Sequence, residues 1–392
     1  MLKKIQIIII VICLGLCAGL GTHYLLNKED GKLVAKKLRF DMPEDGVKTD
    51  SFSLRLFQEA VRQTPNASII ISPVLVNEAL LELEALATEP LKQVITKQQI
   101  YTGNYEHTTI PPLSIIPAVD YGLNYQNTPQ DDLLLRLPFR ANFPMALELF
   151  NANLVHNAGL PSQIIAHGKN ITKKSRFVLG LASSFSVRLH TPFIAANSRA
   201  DGFENADGSV PNVNMLRTRG NFRYVRDAEG RWEAVALPLH PNNNENDIPT
   251  VLIAILPSGS AETAALELTP DKLTHIRRSL LESVPSDCAV SMPQMECSPP
   301  LRNIRPLITN LGMDALFDTT AKNWCFADQK LGIDTIVEKL HVSILPLEKD
   351  AGQQPRPENA ATILEFNRPF IWLIGDLSTA APFYFMGLVQ NL

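Results

Sequence analysis

Residues 341–374 read HVSILPLEKDAGQQPRPENAATILEFNRPFIWLI, and this stretch decides the predicted fold. From Val342 to Leu347 the residues are apolar and partly β-branched, which is typical of a strand. From Glu348 to Asn359 the chain carries charges, a glycine and two prolines, which indicate an exposed loop. Apolar residues return from Ile363 to Ile374. The stretch therefore predicts two strands that are joined by a polar loop.

Two motifs after this loop resemble those of a known family. Residues 364–370, LEFNRPF, are similar to the signature of the serpins, the serine protease inhibitor family. Residues 383–387, FYFMG, resemble the closing strand of that family. The signature residues are Phe366, Asn367, Arg368, Pro369 and Phe370. In serpins, the loop before this signature is the bait that a protease cleaves.

Further motifs, in the right order along the chain, strengthen the resemblance. Ser72 and Pro73 are typical of the N-cap and first turn of a helix, and serpins have such a Ser-Pro pair before their central helix. Residues 311–317, LGMDALF, resemble the family's Leu-Gly-Ile-x-x-Leu-Phe. After a long predicted strand, the residues that serpins have in this region also occur in the same order, at Phe203, Gly208, Met215, Leu256 and Pro257. In all, the resemblance covers residues 52–100 and 177–392.

The resemblance implies an α+β fold in which helices pack around three mainly antiparallel β-sheets. We assign this fold to a single domain at residues 49–392. The resemblance also implies a mechanism: a protease cleaves the loop, whose N-terminal part inserts as a new central strand in the largest sheet and distorts the acylated enzyme. Insertion of this kind is strand addition within one chain. Ser72 and His341 match positions in the region where the strands must part.

The predicted loop departs from the serpin pattern in length and in conformation. An inserting strand of ~15 residues at ~3.3 Å each would cover about 50 Å. Only sixteen residues, Glu348 to Ile363, supply the hinge, strand, cleavage site and return path, which is too short. Pro355 and Pro357 lack the N–H that a central strand needs. Arg356 is the candidate for trypsin-like cleavage, but the bond that follows it leads into Pro357 and is a poor protease substrate. The reactive-loop candidates are Glu348, Ala351, Gly352, Arg356, Pro357, Ala360, Ala361 and Thr362.

Leucines replace hydrogen-bonding residues in the predicted opening region. Leu75 stands where the family has a serine, Leu181 where it has an asparagine, and Leu189 where it has a tryptophan. Leucines at these places favour a closed, apolar sheet over one that is poised to open. For His341 two interpretations remain open: a histidine of the core or strand edge, and one that acts in opening or as a pH sensor.

The N-terminal segment, residues 1–26, is predicted to be a membrane anchor. After two lysines, the run from Ile5 to Leu26 is mostly apolar and, at ~1.5 Å per residue, is long enough to cross a ~30 Å hydrocarbon core. The lysines favour a cytoplasmic N-terminus and place the rest of the chain outside the cytoplasm. A cleaved signal peptide, which would make the domain secreted, and lipidation at Cys17 are the alternatives. Residues 27–48 are charged and predict a linker.

Composition and motifs bound the other classes of function. A net charge of −4 does not indicate the excess of basic residues that is typical of nucleic-acid-binding proteins. The sequence has no G-x-S-x-G elbow, HExxH pair, P-loop or dinucleotide fingerprint, so we expect neither an enzyme nor a cofactor. His156 and His167 lack a third ligand at motif spacing, so no metal site is expected. Outside the N-terminal segment we expect free thiols, with one internal bridge as the alternative, for Cys288, Cys297 and Cys325.

The sequence therefore leads to one main functional hypothesis and two alternatives. The main one is a monomeric serpin homologue, outside the cytoplasm, that binds a protein partner without inhibiting a protease. The first alternative is a working inhibitor of serine or cysteine endopeptidases that acts through loop 348–363, with Arg356 or Ala361 near the scissile bond. The second is a blocker with a rigid loop that binds a protease reversibly and without insertion.

Overall fold

The computed structural model describes residues 23–29, 32–38, 46–98, 111–125, 131–160, 170–239, 250–346, 360–377 and 382–392. The chain divides into two compact units, Met1–Glu44 and Asp45–Leu392. In the first unit, β1 (His23–Glu29) pairs antiparallel with β2 (Lys32–Leu38). This hairpin lies where the sequence predicts the end of an anchor and a linker.

The predicted membrane anchor is not part of the described structure. Residues 1–22, which hold most of it, lie outside the described residues. Among the residues that are described, no helix is long and apolar enough to cross a bilayer. The anchor and its cleaved alternative therefore stay predictions.

The second unit alternates helices with strands of two sheets. Its helices are α1 (Gly46–Gln63), α2 (Pro73–Leu86), α3 (Glu89–Thr96), α4 (Phe143–Ala158), α5 (Ala261–Leu266), α6 (Pro270–Glu282) and α7 (Arg305–Asn310), with 3₁₀ turns at Asp131–Leu133, Ala195–Asn197 and Asp314–Phe317. Its strands are β3 (Ile69–Ile71), β4 (Leu113–Asp120), β5 (Leu135–Leu137), β6 (Phe177–Val187), β7 (Arg199–Gly202), β8 (Asn212–Arg226), β9 (Trp232–Pro238), β10 (Thr250–Pro257), β11 (Ser286–Pro293), β12 (Met295–Cys297), β13 (Arg302–Asn303), β14 (Thr335–Ile344), β15 (Thr362–Glu365), β16 (Phe370–Asp376) and β17 (Phe385–Val389).

The strands described in the second unit form two sheets, whereas the sequence predicts three. The six-stranded sheet has the order β12-β14-β6-β4-β5, with β13 also on β14, and the nine-stranded sheet has the order β15-β11-β8-β9-β10-β16-β17-β3, with β7 also on β8. The long strand β8 joins two regions into one sheet, because residues 215–222 pair with β11 and residues 223–226 pair with β9. Most pairings are antiparallel, as predicted; β14–β6, β4–β5 and β11–β15 are parallel.

The sequence predicts a helix over residues 300–311, and that prediction is wrong at its start. Helix α7 begins at Arg305. Residues 302–303 instead form β13 and pair with β14. Their backbone groups are therefore part of the sheet and are not available to a longer helix. The end of the helix agrees with the prediction, because Gly312 has a φ of +86°, as expected for a left-handed cap.

Strand β4 is not predicted from the sequence. Pro117 lies inside it, and a proline argues against a central strand because it cannot donate a ladder hydrogen bond. The neighbouring strand β5 pairs with β4 only at residues 118–120. On that side, no described strand covers the sheet next to Pro117, so the proline is tolerated there.

Helix α4 packs on the six-stranded sheet through an apolar cluster of its own. The cluster comprises Ile116, Ala118, Leu137, Phe139, Ala146, Phe150, Leu154, Ala158, Leu160, Ile171, Val178, Ala182 and Val337. A Cβ atom at Gly180 of β6 would lie 2.5 Å from Cζ of Phe150, so the glycine permits the close approach of the helix. Val337 belongs to β14 and Val178 to β6. The cluster therefore joins the helix to residues of both strands of the parallel pair.

Candidate functional site

The predicted bait loop joins the two sheets of the second unit. It follows β14 of the six-stranded sheet and ends at β15 of the nine-stranded sheet. A strand that inserted beside β14 would thus enter the six-stranded sheet. Five loop candidates lie outside the described residues, namely Glu348, Ala351, Gly352, Arg356 and Pro357. The described candidates are Ala360, Ala361 and Thr362.

The return end of the loop is held against β11. The N–H of Ala361 donates to the carboxylate of Asp287 at 3.3 Å. Thr362 opens β15 opposite Cys288. Arg219 donates two hydrogen bonds of 2.7 Å to Asp287, and these bonds lower the pKa of that carboxyl. The ion pair is therefore set in place to anchor the backbone where the loop rejoins the sheet.

The two phenylalanines of the signature turn the chain from β15 into β16. Phe366 and Phe370 are fully buried, and their ring centroids lie 5.2 Å apart in an edge-to-face pair. The N–H of Phe366 donates to the carbonyl of Ser291 at 2.8 Å. The pair thus fixes a corner in the nine-stranded sheet.

The other signature residues tie this corner to neighbouring segments. The carbonyl of Asn367 accepts from the N–H of Glu204 at 2.8 Å. The guanidinium of Arg368 donates to the carbonyl of Pro257, and Pro369 is half-buried. Four of the five signature residues, all but Pro369, therefore make contacts that hold the corner, and the corner fixes the direction in which the loop returns.

His341 lies in the seam between β14 and β6. The two strands pair in parallel from Thr335 opposite Val178 to Ile344 opposite Val187, and His341 is opposite Ser184. The imidazole is only 8% exposed, and its Nδ1 has no hydrogen-bond partner among the described residues. An unpaired buried nitrogen leaves both interpretations of His341 open.

The hydrogen bonds of Ser72 fix the start of α2 and do not involve the imidazole of His341. Its hydroxyl donates to the carbonyl of Tyr384 at 2.7 Å and accepts from the N–H of Leu75 at 3.4 Å. In the described part of the chain, no hydrogen bond joins Ser72 to His341. The sequence groups these two residues in one opening region, but the bonds of Ser72 connect α2 with the segment before β17.

Side chains close the seam between β14 and β6 near its C-terminal end. The hydroxyl of Ser343 on β14 donates to that of Ser186 on β6 at 3.1 Å. The leucines that the sequence predicts to favour a closed sheet, Leu75, Leu181 and Leu189, are all buried. The seam is therefore closed by backbone pairing, by a cross-strand hydrogen bond and by apolar packing.

An ion pair with a buried carboxylate fixes the N-terminal half of β14. Nε and Nη2 of Arg302 each lie 2.5 Å from Oε2 of Glu338, and Nη2 also donates to the carbonyl of Ile70 at 2.8 Å. Glu338 is 2% exposed. Arg302 thus links β13, β14 and β3 of the other sheet. Sequence reasoning missed this pair, although a glutamate inside an apolar strand is the signal that could have revealed it.

The start of β6 is held by a carboxylate from the segment before β14. The carboxylate of Asp334 accepts from the N–H groups of Arg176 and Phe177 at 2.6 and 3.0 Å. Its carbonyl accepts from Arg305 at 3.1 Å. These bonds satisfy backbone donors at the strand end, so both ends of the seam are joined by polar contacts.

Glu82 of α2 is half-buried, although the apolar pattern of the helix predicts that it faces away from the core. Burial, with the nearby charge of Glu78, raises the pKa of Glu82 to about 7. The unfolded chain ionises this group near pH 4.5, whereas the folded chain resists ionisation up to about pH 7. Stability from this group is therefore complete below pH 4.5 and is lost as the pH rises to about 7.

Glu82→Gln is expected to raise the free energy of unfolding at pH 8 by about 1 kcal/mol, a value reduced for solvent screening of a half-buried group. At pH 4 the variant and the native chain should be equally stable. Urea unfolding at both pH values measures the difference. Glu148→Gln, at an exposed position of α4, is the control and should change neither value by more than about 0.5 kcal/mol. An equal gain at both pH values would contradict the assignment.

The described cysteines and histidines provide no evident catalytic or metal centre. Cys288, Cys297 and Cys325 are free thiols, as the sequence predicts. Burial raises the pKa of the Cys297 thiol to about 11, which disfavours the reactive thiolate. Within the described ranges, no three or more residues among His, Cys, Asp and Glu form a group that could hold a metal ion.

The α+β fold and the corner after the loop define a serpin-like protein, and comparison with known proteins agrees. The sequence profile of the family described as Serpin (serine protease inhibitor) matches residues 162–392. Because the match covers more than half of the chain, the protein belongs to the serpin family. Comparison with curated protein sequences finds no match.

Solved serpin structures share the fold at low sequence identity. Serine protease inhibitor (serpin) 12 of Manduca sexta is 15% identical, with 88% of this chain and 98% of that chain covered and a TM-score of 0.71. Uncleaved ovalbumin is 16% identical, with 89% and 100% covered and a TM-score of 0.74. Native protease nexin-1, solved with heparin, is 17% identical, with 89% and 99% covered and a TM-score of 0.73. These similarities describe the fold alone.

Proposed function

We propose that this serpin binds a protein partner, as a monomer, and does not inhibit proteases by loop insertion. The observation that carries the proposal is the closed seam between β6 and β14, which are paired along residues 335–344. A new strand in that seam would break the parallel ladder and the bond between Ser343 and Ser186. It would also move Val337 away from the apolar cluster under α4.

The sequence of the loop supports the same proposal. A strand in the middle of a sheet needs N–H donors on both sides, and Pro355 and Pro357 supply none. The sixteen residues from Glu348 to Ile363 also leave too little chain for an inserted strand and a return path. The loop therefore gains little from insertion, while the closed seam opposes it.

Cleavage of the loop is expected to leave the thermal unfolding midpoint nearly unchanged. An inserted strand would add ladder hydrogen bonds and buried area, and each 1 kcal/mol gained would raise the midpoint by roughly 2–4 °C. Without insertion the change should stay within about 3 °C. A broad protease would nick the chain, intact mass would place the cut between Glu348 and Leu364, and calorimetry would compare the two forms.

Two results of the same experiment would favour the alternatives. A rise of tens of degrees, or an SDS-resistant complex with trypsin that disappears in Arg356→Gln, would show an inhibitor that acts through loop 348–363. Reversible inhibition of trypsin without cleavage would indicate a rigid-loop blocker. Mixing the chain with trypsin, with a cysteine protease and with inactivated trypsin separates these cases from simple proteolysis.

We also propose that residues 1–26 anchor the domain outside the cytoplasm, in the cell envelope. The apolar run from Ile5 to Leu26 supports this proposal. The full chain is expected to stay with membranes during alkaline carbonate extraction and to keep its original N-terminus. Release into the supernatant, together with a new N-terminus after Ala18 or near Leu20, would instead indicate a cleaved and secreted form.

A further inference from the structure

An apolar pocket lies between one face of the nine-stranded sheet and the helices α5 and α6. Its volume is about 430 Å³, which is in the range of small-molecule sites. The apolar residues that matter for its shape are Trp232, Ile255, Pro257, Ala264, Ile276 and Ile371. Strands β9, β10 and β16 supply the floor, and the two helices supply the opposite wall. The pocket is therefore large enough to hold a small organic molecule.

The strand register brings the floor of the pocket onto one face of the sheet. Trp232 on β9 is opposite Pro257 on β10. Two residues before Pro257, Ile255 is opposite Ile371 on β16. Residues that are opposite each other in a ladder, and residues two apart on one strand, direct their side chains to the same face. The indole of Trp232 and the two isoleucines thus belong to one continuous apolar surface.

Trp232 differs from the other two tryptophans of the chain. Trp324 and Trp372 are fully buried, whereas Trp232 is only half-buried. The ring of His275 on α6 meets the indole edge to face, with the ring centroids 6.5 Å apart, and His275 is itself exposed. A large aromatic ring at the open side of a pocket offers a surface on which the ring of a ligand packs.

The helix wall of the pocket is held in place without a ligand. Nε2 of Gln58 on α1 donates to the carbonyls of Leu266 and Leu268, at 2.9 Å each, where α5 ends. The hydroxyls of Ser260 and Thr269 cap α5 and α6, and each accepts an N–H of the first turn at 3.2 Å. The wall is therefore ordered in advance, which lowers the entropic cost of binding.

The charged residues of the pocket lining balance one another. Arg231 donates two hydrogen bonds, of 2.8 and 3.2 Å, to the carboxylate of Asp227. Glu267 and Lys272 add one charge of each sign, and Nζ of Lys272 donates to the main-chain carbonyl of Glu267 at 3.1 Å. Outside the lining, the exposed Glu229 lies 3.3 Å from Nε of Arg231. A charged ligand would thus lose its hydration in an apolar pocket whose lining offers no net opposite charge.

We propose that this pocket binds a neutral aromatic small molecule. One ring of the ligand packs on the indole of Trp232, and the remainder contacts Ile255 and Ile371 on the floor. In the order of the nine-stranded sheet, two strands separate β9 from β15, where the predicted bait loop returns. The site is therefore a second binding function, and it does not depend on the proposed protein partner.

Fluorine NMR of the full chain in detergent micelles, labelled with 5-fluorotryptophan, tests the proposal, because the chain has three tryptophans. Trp232→Phe assigns the signal of the pocket. The probes are 2-naphthalenemethanol, 2-naphthoate and 2-naphthylmethylammonium, which share a ring system and differ in charge; equilibrium dialysis gives their free concentrations. The neutral probe is expected to shift only the Trp232 signal, with a dissociation constant about five-fold lower than that of either charged probe, or less.

Four results would overturn the proposal. The neutral probe does not bind, it shifts all three tryptophan signals alike, or a charged probe binds as tightly as the neutral one. The fourth concerns the aromatic class and uses the saturated probe decahydro-2-naphthalenemethanol. This probe is not planar and cannot stack on the indole, so it should bind at least about two-fold more weakly. Equal or tighter binding of the saturated probe would exclude a preference for aromatic ligands.

Two variants assign the site, and a third serves as the control. Ala264→Phe places a ring in the pocket and should weaken binding of the neutral probe by about ten-fold or more. Glu267→Gln leaves the lining with an excess positive charge, so 2-naphthoate should gain about three-fold relative to the neutral probe. Glu282→Gln removes the same charge at the exposed end of α6, outside the lining, and should change neither value. Even if Ala264→Phe failed to fold, an unchanged charge preference in Glu267→Gln would refute the assignment.

Discussion

Arg302→Met is expected to lower the free energy of unfolding by about 3–5 kcal/mol, because it leaves Glu338 charged, buried and unpaired. Glu338 is 2% exposed and lies in the N-terminal half of β14, so its carboxylate depends on the guanidinium for a charged partner. The variant also removes the donor to the carbonyl of Ile70, so β3 of the other sheet loses a contact. Urea unfolding at pH 7 measures the loss.

A double variant separates the ion pair from the shape of the side chains. Arg302→Met together with Glu338→Met replaces the pair by apolar groups of similar length, and most of the lost stability should return. Arg62→Met, which breaks an exposed pair with Glu59, is the control and should change stability by less than about 1 kcal/mol. A single Arg302 variant that loses less than 1 kcal/mol, or a double variant no better than the single, would show that Glu338 does not depend on Arg302.

The elements that the sequence predicted correctly have strong local signals. Helix α4 follows Asn142, which caps it, and Pro144 in its first turn, and it ends at Gly159 in the left-handed region. Strand β6 is a long run of apolar and small residues, whose pattern predicts a strand over residues 177–185, and the structure extends it to Val187. Such caps and periodic patterns act within one turn or one strand, so a single sequence contains them.

The elements that the sequence missed depend on distant partners. Strand β13 has two residues and exists because β14 offers it an edge to pair with. The pair of Arg302 and Glu338 joins residues 36 positions apart, and neither residue carries a local sign of the other. The merging of three predicted sheets into two depends on β8, whose halves have different partners. Tertiary context decides these features, and local patterns do not encode it.

The features of the candidate site also divide into those that a local motif predicts and those that depend on distant residues. The motif identified the signature residues, and the structure shows that Phe366 and Phe370 form a buried corner. Ser72 and His341 were grouped by resemblance, yet the hydroxyl of Ser72 bonds Tyr384. A motif transfers local geometry well and contacts between strands less well.

Phe150→Ala is expected to lower the free energy of unfolding by about 3–5 kcal/mol, because it removes one of the two buried phenylalanine rings of the cluster between α4 and the six-stranded sheet. Phe150 is fully buried. Its ring lies against Gly180, where even a Cβ atom would approach to 2.5 Å, so the glycine has no side chain that could fill the space left by the ring. Val337 of β14 belongs to the same cluster. Thermal and urea unfolding measure the loss.

The position of the cluster makes this variant a test of what keeps the seam closed. If α4 holds β14 against β6, Phe150→Ala should speed hydrogen exchange at residues 335–344 by more than it does in β16, an interior strand of the nine-stranded sheet. Met145→Ala, on an exposed face of the same helix, should leave both stability and exchange within experimental error. Equal acceleration in β14 and β16 would mean that the helix adds global stability only. Selective acceleration would mean that apolar packing by α4, and not the backbone ladder alone, resists the entry of a new strand.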